Sequence, residues 1–513
     1  MNQVPPLEGH DLFGTNAPLV EAVEREGAGW AAERCSAFGR ILTGEPLEWG
    51  RLANENPPQL RTHDRYGERL DAVEFHPAWH EMMRLSLAHG THSLSWTEER
   101  EGSHVARAAL FMLASQVEAG HGCPVSMTHA AVPTLRTAAP HLAAEWEARL
   151  TSTEYGEVAL CGMAMTERQG GSDLRTNTMA ARPVGGDEYE LDGSKWFCSA
   201  PQSRIFLVLA QAPGGLSCFL LERGAGFEIQ RLKDKLGDRS NASSEIELHG
   251  ARARLVGEEG RGVRTILEMV VHTRLDCVLG TAAGMRQAVE QATHHAAHRS
   301  AFGALLIDQP LMRNVLADLC VESEAATVTA LRLARAYDRR ATDEREAAFA
   351  RIATAIAKYW ICKRGPGHAA EALECLGGNG YVEDSGLPRV YRQQPLLSIW
   401  EGSGNVVCLD VLRALQREPE SLAVLLDEIA LAGEPELSAA AERAAAETDE
   451  ARARSTVEQL ATALQASLLV RHAPAVVADA FQARIGSAYG TLRAGIDAAA
   501  IVARHRPASS VAA

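Results

Sequence analysis

The spacing of hydrophobic residues changes twice along the chain. Up to about residue 155 the spacing is typical of helices. One predicted helix begins at Ser103, a potential N-cap, and stops before Gly120. The apolar residues at helical spacing between them are Val105, Ala109, Leu110, Leu113 and Val117. This pattern predicts an N-terminal domain built from helices.

Between residues 158 and 256 the apolar runs become short and strand-like, with glycine and aspartate between them. The runs lie at 188–191, 204–209, 217–221 and 245–248. The first run is predicted to end at Asp192 and Gly193, which are turn residues. Strands at this spacing favour a small sheet or barrel domain.

From Arg261 onward the pattern is helical again, and long helices are predicted over 270–298 and 311–340. A group of strands between two helical blocks indicates an α+β protein with domains in the order helical, β, helical. A fourth, helical piece is predicted at the C-terminus. The predicted boundaries are 1–157, 158–258, 259–430 and 431–513.

The C-terminal region separates its charges. Residues 411–450 hold three arginines against ten acidic residues, whereas residues 451–513 hold seven arginines against three acidic residues. Ser455 to Glu458 has the pattern of a capping box, so a helix is predicted to begin there. The segment from Glu442 to Arg454 is rich in alanine and charge, and is either a solvated helix or a linker.

Composition narrows the class of protein. The 513 residues are 46% hydrophobic, which suits a globular chain with a substantial core. The formal net charge is −15, so a nucleic-acid role would need a local basic surface. The sequence contains no apolar run of about 18 residues, so no membrane span is predicted. Residues 1–6 lack the basic and apolar regions of a signal peptide. The ten cysteines are scattered without a CxxC pair, so we expect reduced core thiols in a cytoplasmic protein rather than disulfides or zinc ligands.

Candidate chemistry begins at the start of the β region, in the segment MAMTERQGGSD at 163–173. Its two glycines let backbone N–H groups approach a ligand closely, and Thr166 and Ser172 add hydroxyl groups. Alone, this segment could be only a turn. A second segment, DGSKWFCS at 192–199, could alone be only a strand with a core aromatic residue.

Four further segments follow along the chain. They are KLGDRSNAS at 235–243, RSAFG at 299–303, ECLGGNGY at 374–381 and IWEGSGN at 399–405. The guanidinium of Arg299 has the fork geometry that suits two phosphates, but an arginine at the end of a helix can also serve the helix dipole. Glu401 precedes a glycine-rich turn, where a glutamate could be only a helix N-terminal acid.

Taken together, in this order and spacing, the six segments resemble the motifs of the acyl-CoA dehydrogenase family, and the forms ERQGGSD and WEGSGN resemble its AidB-like branch. The resemblance implies that family's fold, with an N-terminal helical domain, a central β domain and a C-terminal four-helix domain, here followed by an extra helical block. It also implies FAD as cofactor, an acyl-CoA substrate, and a homotetramer or at least a homodimer. From the composition we expect no metal site and no membrane association.

The resemblance also assigns roles to single residues. Phe197 falls at the aromatic residue that packs on the isoalloxazine, and Ser199 at the hydroxyl that faces flavin N5. Arg299 and Phe302 fall at residues that reach the FAD of a neighbouring subunit. The expected FAD contacts are Met163, Met165, Thr166, Gly171, Ser172, Phe197, Ser199, Arg299, Phe302, Glu374, Gly377, Gly378, Ile399, Ser403 and Asn405. Ser172 and Arg274 are expected near the substrate, although Arg274 could instead be structural.

Glu401 falls at the glutamate that removes the substrate α-proton as general base. The family's other position for the base, on the helix after the β domain, holds Thr273, which cannot serve. The implied enolate oxygen is held by the Glu401 backbone N–H and a ribityl hydroxyl, and the β-hydrogen leaves as hydride to flavin N5, which gives a 2-enoyl thioester. Two departures from the family pattern are Arg168-Gln169 in place of Pro-Gly, and Glu374 in place of a glutamine, where a carboxylate would repel a pyrophosphate.

The AidB-like resemblance implies a second possible function, which is duplex DNA binding through a basic C-terminal surface, linked to protection from alkylation. Arginines that neutralise phosphates would supply the affinity. The net charge is +4 over residues 451–513 and −7 over residues 411–450, and a solvated helical face explains the arginines at least as well. The candidate residues are Arg452, Arg454, Arg471, Arg484, Arg493, Arg504 and Arg506.

Overall fold

The computed structural model describes residues 2–484, 489, 492 and 495–507. The chain divides into two compact units. Unit 1 comprises residues 1–47, 100–117 and 274–513, and unit 2 comprises residues 48–99 and 118–273. The division into four domains stays a prediction, whereas the predicted order of helices, strands and helices along the chain is confirmed.

The helices account for most of the described residues. In chain order the α-helices are α1 (Ala17–Val23), α2 (Ala32–Leu42), α3 (Glu45–Glu55), α4 (Pro77–Ala88), α5 (Leu94–Thr97), α6 (Ser103–Val117), α7 (Gly122–Ala138), α8 (Pro140–Leu150), α9 (Gly262–His298), α10 (Pro310–Arg339), α11 (Glu344–Cys375), α12 (Gly378–Tyr381), α13 (Leu387–Leu397), α14 (Gly404–Arg417), α15 (Pro419–Ala430), α16 (Pro435–Ala445), α17 (Ala453–His472), α18 (Ala475–Gln482) and α19 (Ala498–His505). The long helices predicted over 270–298 and 311–340 correspond to α9 and α10, although α9 begins eight residues earlier, at Gly262.

The strands form one large sheet and two short hairpins. In chain order they are β1 (Gln59–His63), β2 (Arg69–Glu74), β3 (Cys161–Ala164), β4 (Ala180–Gly185), β5 (Glu188–Ser199), β6 (Ile205–Ala212), β7 (Gly215–Glu222), β8 (Phe227–Leu232), β9 (Ser243–Val256), β10 (Ser300–Ala301) and β11 (Ala304–Leu305). The large sheet belongs to unit 2 and has the order β3-β5-β4-β6-β7-β9-β8. Additional pairings join β3 to β6 and β5 to β9, so the sheet folds back on itself around a buried apolar cluster.

The four strand-like runs of the sequence lie in β5, β6, β7 and β9, as predicted. The predicted end of the first run at Asp192 and Gly193 is wrong, because β5 continues through both residues to Ser199. The pairing of β5 with β9 shifts register between Leu191 and Asp192, which is a bulge rather than a turn. Gly193 has a φ of 141°, and a Cβ there would lie 3.0 Å from the Cα of Met179, so the glycine serves the bulge.

The helical region at the N-terminus contains a hairpin that the periodicity did not predict. Strands β1 and β2 pair antiparallel, with Gln59 opposite Glu74. The connecting turn is built by Asp64, whose carboxylate accepts the backbone N–H groups of Tyr66 and Glu68 at 2.8 and 3.0 Å. Local turn chemistry therefore overrides the helical spacing around it.

In unit 1 the long helices α10 and α11 pack against each other. Helix α11 buries residues on all sides, including an unbroken run from Ile352 to Tyr359, so it lies at the centre of the core. The extra C-terminal block packs onto this pair through α17 and α19. The predicted helix start at Ser455 is wrong, because α17 already begins at Ala453, behind a short turn that Asp449 caps.

Two expectations from composition concern thiols and membranes. All ten cysteines are buried free thiols, and burial raises the pKa of Cys198 to about 12 and that of Cys161 further. Such thiols are inert core residues at neutral pH.

Within the described ranges, the helices are too short or too polar for any of them to cross a membrane.

Candidate active site

The first two candidate segments lie side by side in unit 2. Met163 on β3 pairs with Ser199 on β5, and the backbone N–H of Trp196 donates to the carbonyl of Thr166 at 2.8 Å. Phe197 is half exposed, at 50%, although it is a large apolar side chain on a strand. The structure therefore presents one aromatic ring and two hydroxyl-bearing residues at the same end of the sheet.

A buried ion pair joins the segments 163–173 and 192–199. Lys195 Nζ donates to Glu167 Oε1 at 2.8 Å, and both side chains are at most 3% exposed. Glu167 also accepts the backbone N–H of Thr178 at 2.7 Å and that of Met179 at 3.2 Å. Burial alone would raise the pKa of Glu167, but the hydrogen bonds from Lys195 and Thr178 lower it to about 2. The carboxylate is therefore ionised and fixes the loop that follows β3.

The glycine-rich loop itself is closely built. Glu167 and Gly170 exchange backbone hydrogen bonds, and Gln169 donates to the Glu167 carboxylate at 2.8 Å. A Cβ at Gly171 would lie 2.5 Å from Thr166 Oγ1, so only glycine allows the loop to turn back over Thr166. Ser172 is exposed at the outer edge of this loop.

The segment at 235–243 is a support for the end of β5. Lys235 Nζ donates to the carbonyl of Asn241 at 2.7 Å, and Ser243 Oγ lies 3.4 Å from Ser199 Oγ. Burial lowers the pKa of Lys235. Arg239, the exposed arginine of the motif, donates to the Lys235 carbonyl at 3.2 Å. The loop thus orders the neighbourhood of Ser199.

Glu118 anchors the same loop from the helical part of unit 2. Its carboxylate accepts hydrogen bonds from Asn54 at 2.9 Å, from the backbone of Gly120 at 2.9 Å and from Ser240 at 2.8 Å. Burial would raise its pKa, but the hydrogen bond and charge of His121 lower it to about 2. Neither Glu118 nor the pairing of Glu167 with Lys195 was predicted from the sequence.

In unit 1 the loop before α14 holds Glu401 in a left-handed conformation, with a φ of 56°. Arg274 Nε donates to the Glu401 carbonyl at 2.9 Å, and Arg274 Nη1 lies 3.0 Å from Asp410 Oδ2. Lys358 Nζ donates to the carbonyls of Trp400 at 2.8 Å and Gly402 at 2.5 Å. These contacts favour the structural role for Arg274, of the two roles that the sequence left open.

The turn after Glu401 leads into α14. Gly402 has a φ of 105°, and a Cβ there would lie 3.2 Å from Val407 Cγ2 and 3.3 Å from Arg274 Nη2. Ser403 is the N-cap of α14 in an extended conformation without a side-chain cap bond. Asn405 Oδ1 accepts a hydrogen bond from Arg454 Nε at 2.8 Å, which ties the extra C-terminal block to this motif.

The segment at 299–303 forms the exposed hairpin of β10 and β11. Phe302 is fully exposed, at 101%, and has a φ of 52°. Arg299 donates to the backbone carbonyl of Asn2, and Asn2 Nδ2 donates to the Ser300 carbonyl at 2.7 Å. The turn thus holds an apolar ring out from the described part of the chain.

The segment at 374–381 ends α11 and forms α12. Gly377 has a φ of 59°, and no atom lies within 4 Å of a Cβ built at Gly377 or Gly378, so the space over both is open. Glu374 is exposed. The pKa of nearby Glu371 is raised by burial and by the charge of Glu374, so the local field is negative.

Three domain models match the chain. They are the adaptive response protein AidB N-terminal domain at residues 2–157, the acyl-CoA dehydrogenase middle domain at residues 162–251 and the acyl-CoA dehydrogenase C-terminal domain at residues 260–416. AidB of Escherichia coli (strain K12) is 50% identical over 434 residues, a match that covers 81% of this chain and 80% of that protein. The chain belongs to the acyl-CoA dehydrogenase family.

Further relatives agree with this assignment. Acyl-CoA dehydrogenase family member 11 of Caenorhabditis elegans is 32% identical over 408 residues, which cover 74% of this chain and 66% of that protein. The crystal structure of Caenorhabditis elegans ACDH-11 in complex with C11-CoA has a TM-score of 0.86 at 26% identity, over 98% of this chain and 92% of that one. The apo form of Bd2924 has a TM-score of 0.87 at 28% identity, over 92% of this chain and 100% of that one.

As an acyl-CoA dehydrogenase family member, the protein is an oxidoreductase with FAD as its cofactor. Its own residues fit that cofactor. Phe197, Phe302 and Ile399 are apolar side chains that are at least half exposed, and they stand at motif positions for FAD contact. Gly377 and Gly378 leave open space of the kind that a dinucleotide backbone needs. Each individual contact stays a prediction, including those of Met163, Met165, Thr166 and Glu374.

Proposed function

We propose that the protein catalyses the α,β-dehydrogenation of an acyl-CoA thioester to a 2-enoyl thioester, with Glu401 as the general base. The observation that carries the proposal is the left-handed backbone at Glu401, held between Arg274 and Lys358. Strained backbone at a residue other than glycine persists where the surrounding structure enforces it, and such residues cluster at active sites. Glu401 also stands in the WEGSGN motif, at the family's glutamate.

The chemistry requires a strong and well-placed base. A thioester α-proton is weakly acidic, and a positioned carboxylate contributes roughly 10²–10⁴-fold to its removal. Glu401 would take this proton on a side-chain oxygen, and its backbone N–H would hold the thioester oxygen as negative charge develops there. FAD, when bound, supplies the acceptor for the β-hydride. Thr273, at the family's other position for the base, cannot take the proton, so Glu401 is the matched candidate.

An acyl-CoA is the substrate class that the comparisons support. The structure of ACDH-11 from Caenorhabditis elegans contains C11-CoA, which is an acyl-CoA with a medium-length chain. Ser172, exposed on the glycine-rich loop of unit 2, is our proposed substrate contact in this chain. Arg274 is not proposed as one, because its guanidinium is engaged by the Glu401 carbonyl and by Asp410.

We also propose that the protein self-associates as a homotetramer or homodimer through the hairpin that carries Phe302. A fully exposed phenylalanine on a turn with a positive φ would remove apolar surface from water if it were buried against a second copy. Arg299, at the base of this hairpin, would then reach the FAD of the neighbouring subunit. Among the described residues its hydrogen-bond partner is the backbone carbonyl of Asn2, which a pyrophosphate could replace.

The second candidate function, duplex DNA binding through the C-terminal arginines, receives less support. Arg471 pairs with Glu428 at 2.6 Å, Arg484 with Asp318 at 2.6 Å, and Arg504 with Glu324 at 3.0 Å. These three side chains are at most 17% exposed, so they hold the C-terminal block against the rest of unit 1 and are not available to phosphates. Arg493 lies outside the described residues. The remaining exposed candidates are Arg452, Arg454 and Arg506.

The two functions are separated by two assays on the same purified protein. The dehydrogenase function is tested by anaerobic titration with straight and branched acyl-CoAs. The visible absorbance of the oxidised flavin reports whether the cofactor is reduced. Bleaching by at least one acyl-CoA supports this function, and an unchanged spectrum across the panel contradicts it. Duplex DNA binding across a salt series tests the alternative, since phosphate contacts give an affinity that falls steeply with salt.

A further inference from the structure

Three consecutive backbone carbonyls in the loop before α14 accept hydrogen bonds from two cations. Lys358 Nζ binds the carbonyls of Trp400 at 2.8 Å and Gly402 at 2.5 Å, and Arg274 Nε binds the carbonyl of Glu401 at 2.9 Å. Lys358 lies in the middle of α11 and is 1% exposed. The catalytic loop is therefore held from the core of unit 1, on both sides of the proposed base.

This pattern explains the backbone strain at the site. In a regular strand the carbonyls of residues i and i+2 point the same way but lie roughly 6.6 Å apart, too far for one ammonium to bind both at hydrogen-bond distance, and in a helix the carbonyls point along the axis. The loop brings its carbonyls to the two cations with positive φ angles at two successive residues, 56° at Glu401 and 105° at Gly402. A positive φ is unfavourable for glutamate and persists only where contacts enforce it.

The placement of Lys358 is itself costly. Among the described residues, no carboxylate oxygen lies within 4.0 Å of its ammonium group, which binds only carbonyl oxygens. A buried ammonium without an opposite charge is expensive to desolvate. Arg274 differs, because Asp410 neutralises it at 3.0 Å, and Arg351 in turn binds Asp410 at 3.0 Å. Because burying this ammonium group costs stability, we interpret its hydrogen bonds to the loop carbonyls as serving the placement of the loop.

We propose that Lys358 is a positioning residue for Glu401. By binding the carbonyls on either side of the base, it fixes the left-handed turn and so sets the direction in which the carboxylate leaves the loop. Arg274 completes the arrangement by holding the carbonyl of Glu401 itself. The catalytic part of this inference rests on the proposed function of Glu401, whereas the ordering of the loop does not.

The test compares Lys358→Met with a matched control, Arg286→Met, in the FAD-loaded full-length protein. Arg286 is also 1% exposed and also binds two backbone carbonyls, those of Thr15 at 2.8 Å and His505 at 2.9 Å; unlike Lys358 it also pairs with a carboxylate, that of Glu290 at 2.8 Å, and among the described residues its hydrogen bonds lie away from the loop. Both variants remove a buried cation from unit 1. Only Lys358→Met removes one that holds residues 400–402.

Amide hydrogen exchange of the peptide spanning residues 399–404 is the first readout, and it does not depend on turnover. We expect roughly tenfold faster exchange in Lys358→Met, since two hydrogen bonds to the loop are lost, and no change in Arg286→Met. Equal loop protection in wild type and Lys358→Met would overturn the proposal. Equal acceleration in both variants would also overturn it, because the effect would then be general destabilisation.

Exchange of the α-proton of a 3-thia-acyl-CoA into D2O is the second readout. This analogue can lose its α-proton but has no β-carbon–hydrogen bond to break, so it reports the base alone. We expect roughly 10²-fold slower exchange in Lys358→Met at unchanged FAD content and analogue affinity, and a wild-type rate in Arg286→Met. A wild-type rate in Lys358→Met would overturn the proposal. If wild type itself fails to exchange the proton, the proposed function of Glu401 fails, and the loop readout alone decides the role of Lys358.

Discussion

Replacing Lys195 by methionine should destabilise unit 2 by leaving a buried carboxylate without its cation. Glu167 and Lys195 are 2.8 Å apart and at most 3% exposed. Removing one partner of a buried ion pair costs about 3–5 kcal/mol. The hydrogen bonds to Glu167 from Thr178, Met179 and Gln169 remain in the variant, so we expect a loss at the lower end, about 3 kcal/mol.

The pKa of Glu167 gives an independent magnitude and a pH window. Its pKa falls from 4.5 to about 2 on folding, because the hydrogen bonds from Lys195 and Thr178 outweigh burial, and this is equivalent to about 3–4 kcal/mol at about 1.4 kcal/mol per pKa unit. Since folding lowers the pKa, this stability is fully present above pH 4.5 and is lost as the pH falls towards 2. The stability difference between wild type and Glu167→Gln should shrink over the same window.

A double-mutant cycle in urea, followed by far-ultraviolet circular dichroism, measures the effect. The variants are Lys195→Met, Glu167→Gln and the double variant at pH 7. We expect Lys195→Met to be the least stable, and the double variant to recover at least half of the loss, since it buries no unpaired charge. If Lys195→Met is as stable as the double variant, the carboxylate does not depend on Lys195, and the reasoning fails.

Three further predictions concern the turn after Glu401, the exposed hairpin and the C-terminal arginines. Gly402→Ala should slow flavin reduction by an active acyl-CoA roughly tenfold or more at unchanged FAD content. The new Cβ would crowd Val407 and Arg274, and residue 402 has a φ of 105°. Stopped-flow absorbance measures the reduction rate, and a wild-type rate would contradict this prediction. Phe302→Ala should lower both the mass measured by light scattering and the retained FAD; a variant that keeps the wild-type mass would contradict the role of the hairpin. Arg471→Ala should lower the unfolding midpoint, whereas the exposed Arg452→Ala should leave it unchanged, and equal effects would argue against the buried pair with Glu428.

The parts of the site that could be predicted from the sequence are the strands and turns, whose conformation is set by residues close together in the chain. The short apolar runs of the β region predict strands, and the structure has a strand at each of the four runs. Glycines in a motif also predict, from the sequence alone, positions where the backbone turns tightly or passes close to a neighbour. Gly171 and Gly402 both occupy places where a Cβ would collide with a neighbouring side chain.

The parts that could not be predicted are pairings between distant residues. Lys358 binds carbonyls 42 and 44 residues further along the chain, and nothing in the alanine-rich pattern of α11 marks this lysine. The C-terminal arginines suggested a basic surface, but Arg484 meets Asp318 across 166 residues of sequence. Charge counted along a segment cannot show which charges are buried against acidic partners elsewhere in the fold.

The β1–β2 hairpin shows a different limit. Its two strands are five and six residues long and lie within a region of helical periodicity, so a window wide enough to detect helices averages them away. The signal that could have found the hairpin is the turn from Asp64 to Gly67, where an aspartate caps the turn and a glycine adopts a φ of 88°.

The most direct test of the central claim is the rate of flavin reduction by an acyl-CoA in Glu401→Gln compared with wild type. Glutamine keeps the shape of the side chain but cannot accept a proton at neutral pH. We expect bleaching of the flavin in wild type and a rate lower by roughly 10²-fold or more in Glu401→Gln, with FAD still bound and the visible spectrum unchanged. Equal rates in the two proteins would contradict it, because the α-proton would then be taken by another group.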